Sequence, residues 1–155
     1  MFRGLGKEVI HETCKRINDL CLAREQFVTQ EGRVGLEMYF IVSGEVEVSC
    51  MGERLGFLGE GAFFGETPLI DAITGNKGLG SGIRTRTVRT LQACEFGLLR
   101  NDDVIALMEK FPELQIRLNH FSKVGLQFSN KGAMKAMMQD LKFSVAAIKY
   151  GCVRI

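Results

Sequence analysis

The stretch Met38-Tyr39-Phe40-Ile41-Val42-Ser43-Gly44-Glu45-Val46-Glu47-Val48 decides the fold class. Met38, Phe40 and Val42 alternate along one segment, and Val46 and Val48 alternate along the next. A period of two belongs to β-strands, whose successive side chains point to opposite faces. Ser43-Gly44 between them offers a tight turn, so the stretch reads as a hairpin. Further on, Leu55, Phe57 and Leu58 make another short strand. Glycines at 52, 56, 59, 61 and 65 punctuate the region, so corners are expected rather than long strands. Ile83 to Thr90 is β-branched and alternating, and Cys94 to Leu99 forms a further strand. Many short strands at close, regular spacing predict a small antiparallel β jelly roll.

Outside this core the period changes to that of a helix. Residues 7–21 carry Ile10, Cys14, Ile17 and Cys21 on one helical face, with charges between. After Leu99, Asn101 or Asp102 can cap a helix whose face is Val104, Ile105, Met108 and Phe111. Pro112 interrupts it. Leu114, Leu118, Phe121, Val124 and Phe128 then continue the helical spacing, as do Met134, Met137, Leu141, Val145 and Ile148. The class is therefore α+β: a jelly roll flanked by N-terminal and C-terminal helices.

Composition bounds the function. The 155 residues suffice for one domain, and 46% hydrophobic with 25% charged residues is a globular balance. A net charge of +2 is too even for a nucleic-acid-binding surface. No apolar run approaches the ~20 residues of a membrane-spanning helix, and the opening residues are no signal peptide, so a soluble chain is expected. The five cysteines lack a close Cys-x-x-Cys pair and read as buried thiols in a reducing compartment. His11 and His120 lie far apart in helix-like stretches, which supports neither a metal site nor nucleophilic catalysis. No enzyme activity is expected.

The chemically informative segment is Gly61-Ala62-Phe63-Phe64-Gly65-Glu66-Thr67-Pro68-Leu69-Ile70. Gly61 and Gly65 let the backbone turn and approach a ligand, and Pro68 suits the first turn of a short helix, where free N–H groups face an anion. Glu66 beside an anion site makes sense if it accepts from ribose hydroxyls instead. Arg84, Arg86 and Arg89 are the available counter-charges, and alternation alone does not choose among them.

Together, residues 38–48, Gly61-x-x-Phe64-Gly65-Glu66 and Arg84-Thr85-x-x-Val88-Arg89 strongly resemble the cyclic nucleotide-binding domain family. Phe2-Arg3-Gly4-Leu5 and Leu107 to Leu114 look like the family's flanking helices. The likeness runs over residues 1–128 and is greatest to the cytoplasmic domains of cyclic-nucleotide-gated and hyperpolarisation-activated channels and related potassium channels. Residues 129–155 are then a helical tail. The resemblance implies a ligand, cyclic AMP or cyclic GMP, and no cofactor. Gly65 and Glu66, with Thr67 beside them, would hold the ribose, and Arg84 and Thr85 the cyclic phosphate. Val48 and the neighbourhood of Leu55 and Gly56 would line the base.

Three features depart from the family pattern. Pro68 stands where an N–H commonly donates to the phosphate, and proline has none. The link Asp71 to Gly82, with four glycines, is longer than usual and reads as a surface loop. The base-capping helix would fall near Val124 to Lys131, with Leu126 and Phe128 its candidate contacts.

The function implied is a ligand sensor on the cytoplasmic side of a membrane channel, whose C-terminal helices pass binding to a pore. The alternative is a degenerate domain of the same fold serving assembly. A transcription regulator would need a helix-turn-helix, for which the residues beyond Phe128 are too few. The tail sets Lys131, Lys135, Lys142, Lys149 and Arg154 against Asp140 alone. A basic amphipathic helix can pack on its own domain, or bind an acidic partner such as calmodulin or a membrane surface.

Overall fold

The computed structural model of the chain describes residues 6–75 and 82–116. In chain order the elements are α1 (Lys7–Cys14), β1 (Asn18–Leu22), β2 (Phe27–Thr29), β3 (Glu37–Ser43), β4 (Val46–Cys50), β5 (Glu53–Leu58), β6 (Phe63–Phe64), α2 (Thr67–Thr74), β7 (Thr87–Thr90), β8 (Cys94–Arg100) and α3 (Asn101–Lys110). Two four-stranded antiparallel sheets, ordered β1-β8-β3-β6 and β2-β7-β4-β5, face each other as the predicted roll.

β3 is the hinge of the packing because it is buried on both faces. Tyr39 and Ile41 point into the inter-sheet core with Val46, Val48, Phe64, Val88, Cys94 and Phe96. Met38 and Phe40 point the other way, into a second core with Val9 of α1, Leu69 of α2 and Val104, Leu107 and Met108 of α3. The alternation read along residues 38–48 therefore marks two apolar faces, not one wet and one dry. α1 and α3 are further tied at the surface by Lys110 to Glu8 and Glu12 (3.6 and 4.0 Å) and by Arg16 to Asp103 (3.9 Å).

Four expectations are corrected. The strands around Ser43-Gly44 exist but do not pair. β3 bonds to β8 and β6, whereas β4 bonds to β5 and β7, so the turn is the corner between sheets. Gly44, at φ +98°, lies so near Cys94 Sγ that an added Cβ would sit 2.5 Å from it, and the Glu45 carbonyl accepts from Leu91 N–H (2.9 Å). The true hairpin is β4–β5, closed by Met51 and Gly52 at φ +52° and +81°, the left-handed pair that a two-residue turn requires. Second, the first helix ends at Cys14, and residues 18–22 are instead β1, because pairing with β8 overrides a helix-like apolar spacing. Third, the strand expected over residues 83–90 is regular only from Thr87; ahead of it stands a single bridge, Ile83 to Val34. Fourth, Asn101 lies inside α3, whose capping position is Arg100 with no side-chain cap.

Part of the expected 71–82 loop is helix: α2 runs to Thr74 and stops on Gly75 in the left-handed conformation. Of the cysteines, Cys94 is buried, Cys50 half-buried and Cys21 exposed, all free, while Cys14 is disulfide-bonded rather than a thiol. The expected helices carrying Leu118 to Phe128 and Met134 to Ile148 lie outside the described residues, as does the boundary near residue 128.

Candidate functional site

The site is built where three segments meet: the loop into β3, the β6–α2 junction, and the chain ahead of β7. Gly65 follows β6 at φ +84°, Glu66 occupies the position capping α2, and Thr67 and Pro68 form its first two helical residues. Ile70 N–H donates to the Glu66 carbonyl (2.9 Å), the first bond of that helix.

Arg84 enters this junction from the other side, with only 6% of its side chain exposed. Its Nη1 donates to the Gly65 carbonyl (2.9 Å) and its Nη2 to the Glu37 carbonyl (2.7 Å), with Glu37 Oε2 3.4 Å away. The guanidinium lies 5.7 Å from the Tyr39 ring centre, a cation–π contact. Tyr39 in turn stacks on Phe64 (5.2 Å) and meets Phe96 edge-on (6.3 Å). Two glycines make the cradle. A Cβ at Gly65 would fall 2.6 Å from Arg84 Nη1, and one at Gly35 would fall 2.7 Å from its Nε and 2.5 Å from Pro68 Cγ. The backbone around Arg84 is fixed as well, since its N–H donates to the Arg33 carbonyl (2.7 Å) and its carbonyl accepts from Gly32 (2.8 Å).

Of the three arginines, one turns inward. Arg86 is exposed, and Arg89 is half-exposed against Glu47 at 3.6 Å. Strict alternation would put Arg84 and Arg86 on one face, but residues 84–86 precede the regular strand, so the two side chains diverge. Thr85 is exposed, and its carbonyl accepts from Cys50 Sγ (3.5 Å).

Val48 is buried in the inter-sheet core that also holds Tyr39, directly across β4–β5 from Gly56. Gly56 has open space in front of it. Leu55 occupies the bulge beside it and is 54% exposed. Gly65 and Arg84 are thus brought into contact, Glu66 and Thr67 follow Gly65 in sequence, and Val48 and Gly56 pair with each other across β4–β5, outside the lining of the Arg84 cleft.

Burial raises the Glu66 carboxyl above its usual pKa, an effect partly offset by its own backbone N–H and by the charges of Arg86 and Arg84. Burial, and then the Glu37 charge, raise the Tyr39 phenol, with Arg84 opposing.

Sequence reasoning missed Gly35, Glu37 and Tyr39, the residues that hold Arg84. Tyr39 stood within the run 38–48, but nothing in the spacing linked it, Gly35 or Glu37 to Arg84. It also missed an open cleft of about 360 Å³ beside Arg84, walled by Phe27, Thr29, Arg33, Val34, Glu37 and Tyr39.

A family model described as the cyclic nucleotide-binding domain matches residues 20–111, which contain every element of this site. The chain belongs to the cyclic nucleotide-binding domain family. It is 31% identical over 120 residues to cyclic nucleotide-gated ion channel 1 of Arabidopsis thaliana, covering 74% of this chain and 17% of that protein. It is 33% identical over 129 residues to the probable cyclic nucleotide-gated ion channel 16 of the same plant, covering 79% of this chain and 18% of that one. The cyclic nucleotide-gated channel beta-1 of Bos taurus is 27% identical over 141 residues, covering 89% of this chain and 10% of that protein. The chain thus spans less than a fifth of each of these relatives. Among solved structures, the catabolite activator protein of Thermus thermophilus shares the fold at a TM-score of 0.69 and 21% identity, covering 90% of this chain and 62% of that one. No helix among the described residues is long and apolar enough to cross a membrane.

Proposed function

We propose that this cyclic nucleotide-binding domain takes cyclic AMP or cyclic GMP at the Gly65–Arg84 junction and acts as the ligand sensor of a channel on its cytoplasmic side. The observation that carries the reading is a buried guanidinium at the entry of α2, surrounded by two neutral carbonyls and one partly exposed carboxylate. A guanidinium so placed matches a single negative charge on a phosphodiester. Gly65, Glu66 and Thr67 then serve the ribose side. Thr85 supports the phosphate by turning inward from its exposed position, and Val48 and Gly56 line the base. The segment beyond residue 116 relays binding to the pore in this reading. The basic residues of the tail would recruit an acidic partner such as calmodulin in this reading.

A second reading is favoured by a specific pair of features. Pro68 offers no N–H, and Arg84 already has partners within its own chain, as a domain kept for assembly would also have. Calorimetric titration with both nucleotides separates the two. The expected result is saturable binding that Arg84→Ala weakens at least ~30-fold, because losing one buried charge pair costs about 2–5 kcal/mol. Arg86→Ala leaves it nearly unchanged. Pro68→Ala restores a donor to a charged group and tightens binding roughly 10- to 150-fold. Absence of heat from both wild type and Pro68→Ala establishes the assembly reading instead.

A further inference from the structure

Glu37 is the acidic partner of Arg84, and its geometry differs from that of the other two contacts. The Gly65 and Glu37 carbonyls that accept at 2.9 and 2.7 Å belong to the main chain, fixed by β6–α2 and by the pairing of β3 with β8. Neither can leave without unmaking a strand or a helix start. The carboxylate is the longest contact, at 3.4 Å, and its side chain is 32% exposed against 6% for the arginine. Its second tie is equally loose, an acceptance from Leu36 N–H at 3.2 Å. Among the described residues it is the replaceable partner of Arg84, and both line the same open cleft.

We propose that Glu37 is an internal counter-ion of Arg84 that an incoming phosphodiester displaces, so that it sets both the affinity of the site and its preference for a monoanion. The proposal rests on the functional reading above and adds the regulation of that same site. Exchange of one carboxylate for one phosphodiester keeps the charge around the guanidinium constant, while the released carboxylate moves into water. A phosphomonoester dianion brings a second negative charge within reach of the displaced Glu37; among the described residues the other cation on the cleft wall, Arg33, is exposed and well solvated, so it offsets little of the repulsion between like charges at close range. The acidic residue therefore weakens all anions and weakens dianions most.

The test uses Glu37→Gln, nearly identical in shape, and Glu37→Ser as a shorter second variant. Two readouts are taken: calorimetric affinity for cyclic AMP and for its linear 5′-monophosphate, and the rate at which phenylglyoxal modifies Arg84, followed by peptide mass spectrometry without nucleotide. Both variants are expected to bind cyclic AMP about tenfold more tightly, to narrow the gap between cyclic AMP and the 5′-monophosphate, and to expose Arg84 to severalfold faster modification. Unchanged or slower modification overturns the counter-ion role, as does unchanged or weaker cyclic AMP affinity in a wild type that binds. Faster modification with no nucleotide binding by any variant supports the counter-ion role and removes the functional reading on which the rest stands.

Discussion

At the scale of single residues the site is governed by where charge is permitted. Glu66 is half-buried at the cap of α2, and desolvation holds its folded carboxyl above the ordinary value of 4.5. A carboxyl with a raised folded pKa binds its proton more tightly in the native state. Its contribution to stability is therefore full below the unfolded value and is lost as pH rises from there through the folded one. Above that window the native state carries a half-buried, poorly solvated charge. Glu66→Gln is expected to melt with wild type at pH 4 and above it at pH 8, as read by circular dichroism. A variant that melts below wild type at pH 8 would show instead that Arg84 and Arg86 more than offset the burial.

At the scale of elements, sharp corners set which strands pair. Gly44 turns the chain from one sheet to the other against Cys94 and Ala93, and a Cβ there would lie 2.5 Å from Cys94 Sγ and 2.9 Å from the Ala93 carbonyl. Gly52 has a similar positive φ but nothing within 4 Å. Gly44→Ala combines a left-handed alanine with overpacking and is expected to cost roughly 2–5 kcal/mol, against about 1–2 kcal/mol for Gly52→Ala. Urea denaturation of the two variants measures the difference. Equal losses would mean that backbone conformation alone, and not the packed corner, holds the sheets in place. The same contrast explains why Ser43-Gly44 imitates a hairpin: a two-residue turn with glycine is local, whereas the choice of partner strand is made by β8 and by the Leu91 that precedes it.

For the whole molecule, two cores share one strand. Tyr39 packs toward the roll and supports Arg84, while Phe40 packs toward α1, α2 and α3. A ligand that binds only the folded state adds stability of about 2.7 kcal/mol at a hundred times its dissociation constant. For a chain of this size that corresponds to a rise in melting temperature of roughly 5–11 °C. Thermal melts with cyclic AMP and with cyclic GMP are expected to show it for at least one of them. No rise with either at millimolar concentration would argue for the assembly reading.

The sequence by itself determined the class and the arms of the site. Period-two runs at 38–48 and 94–99, glycine punctuation and the helical spacing of Val104 and Met108 are local properties, and local properties are what a chain carries without its fold. Gly65 and Glu66 drew notice because their residue types match a chemistry, whereas Arg84 was singled out from Arg86 and Arg89 only by the family resemblance. Tertiary structure alone decided the rest. Residues 18–22 are a strand because β8 offers them partners. Arg84 turns inward and Arg86 outward because the chain is irregular just before β7. Glu37, Gly35 and Tyr39 encircle Arg84 although they precede it by more than forty residues. Contacts that distant depend on which segments the corners bring together, and no short-range pattern encodes them.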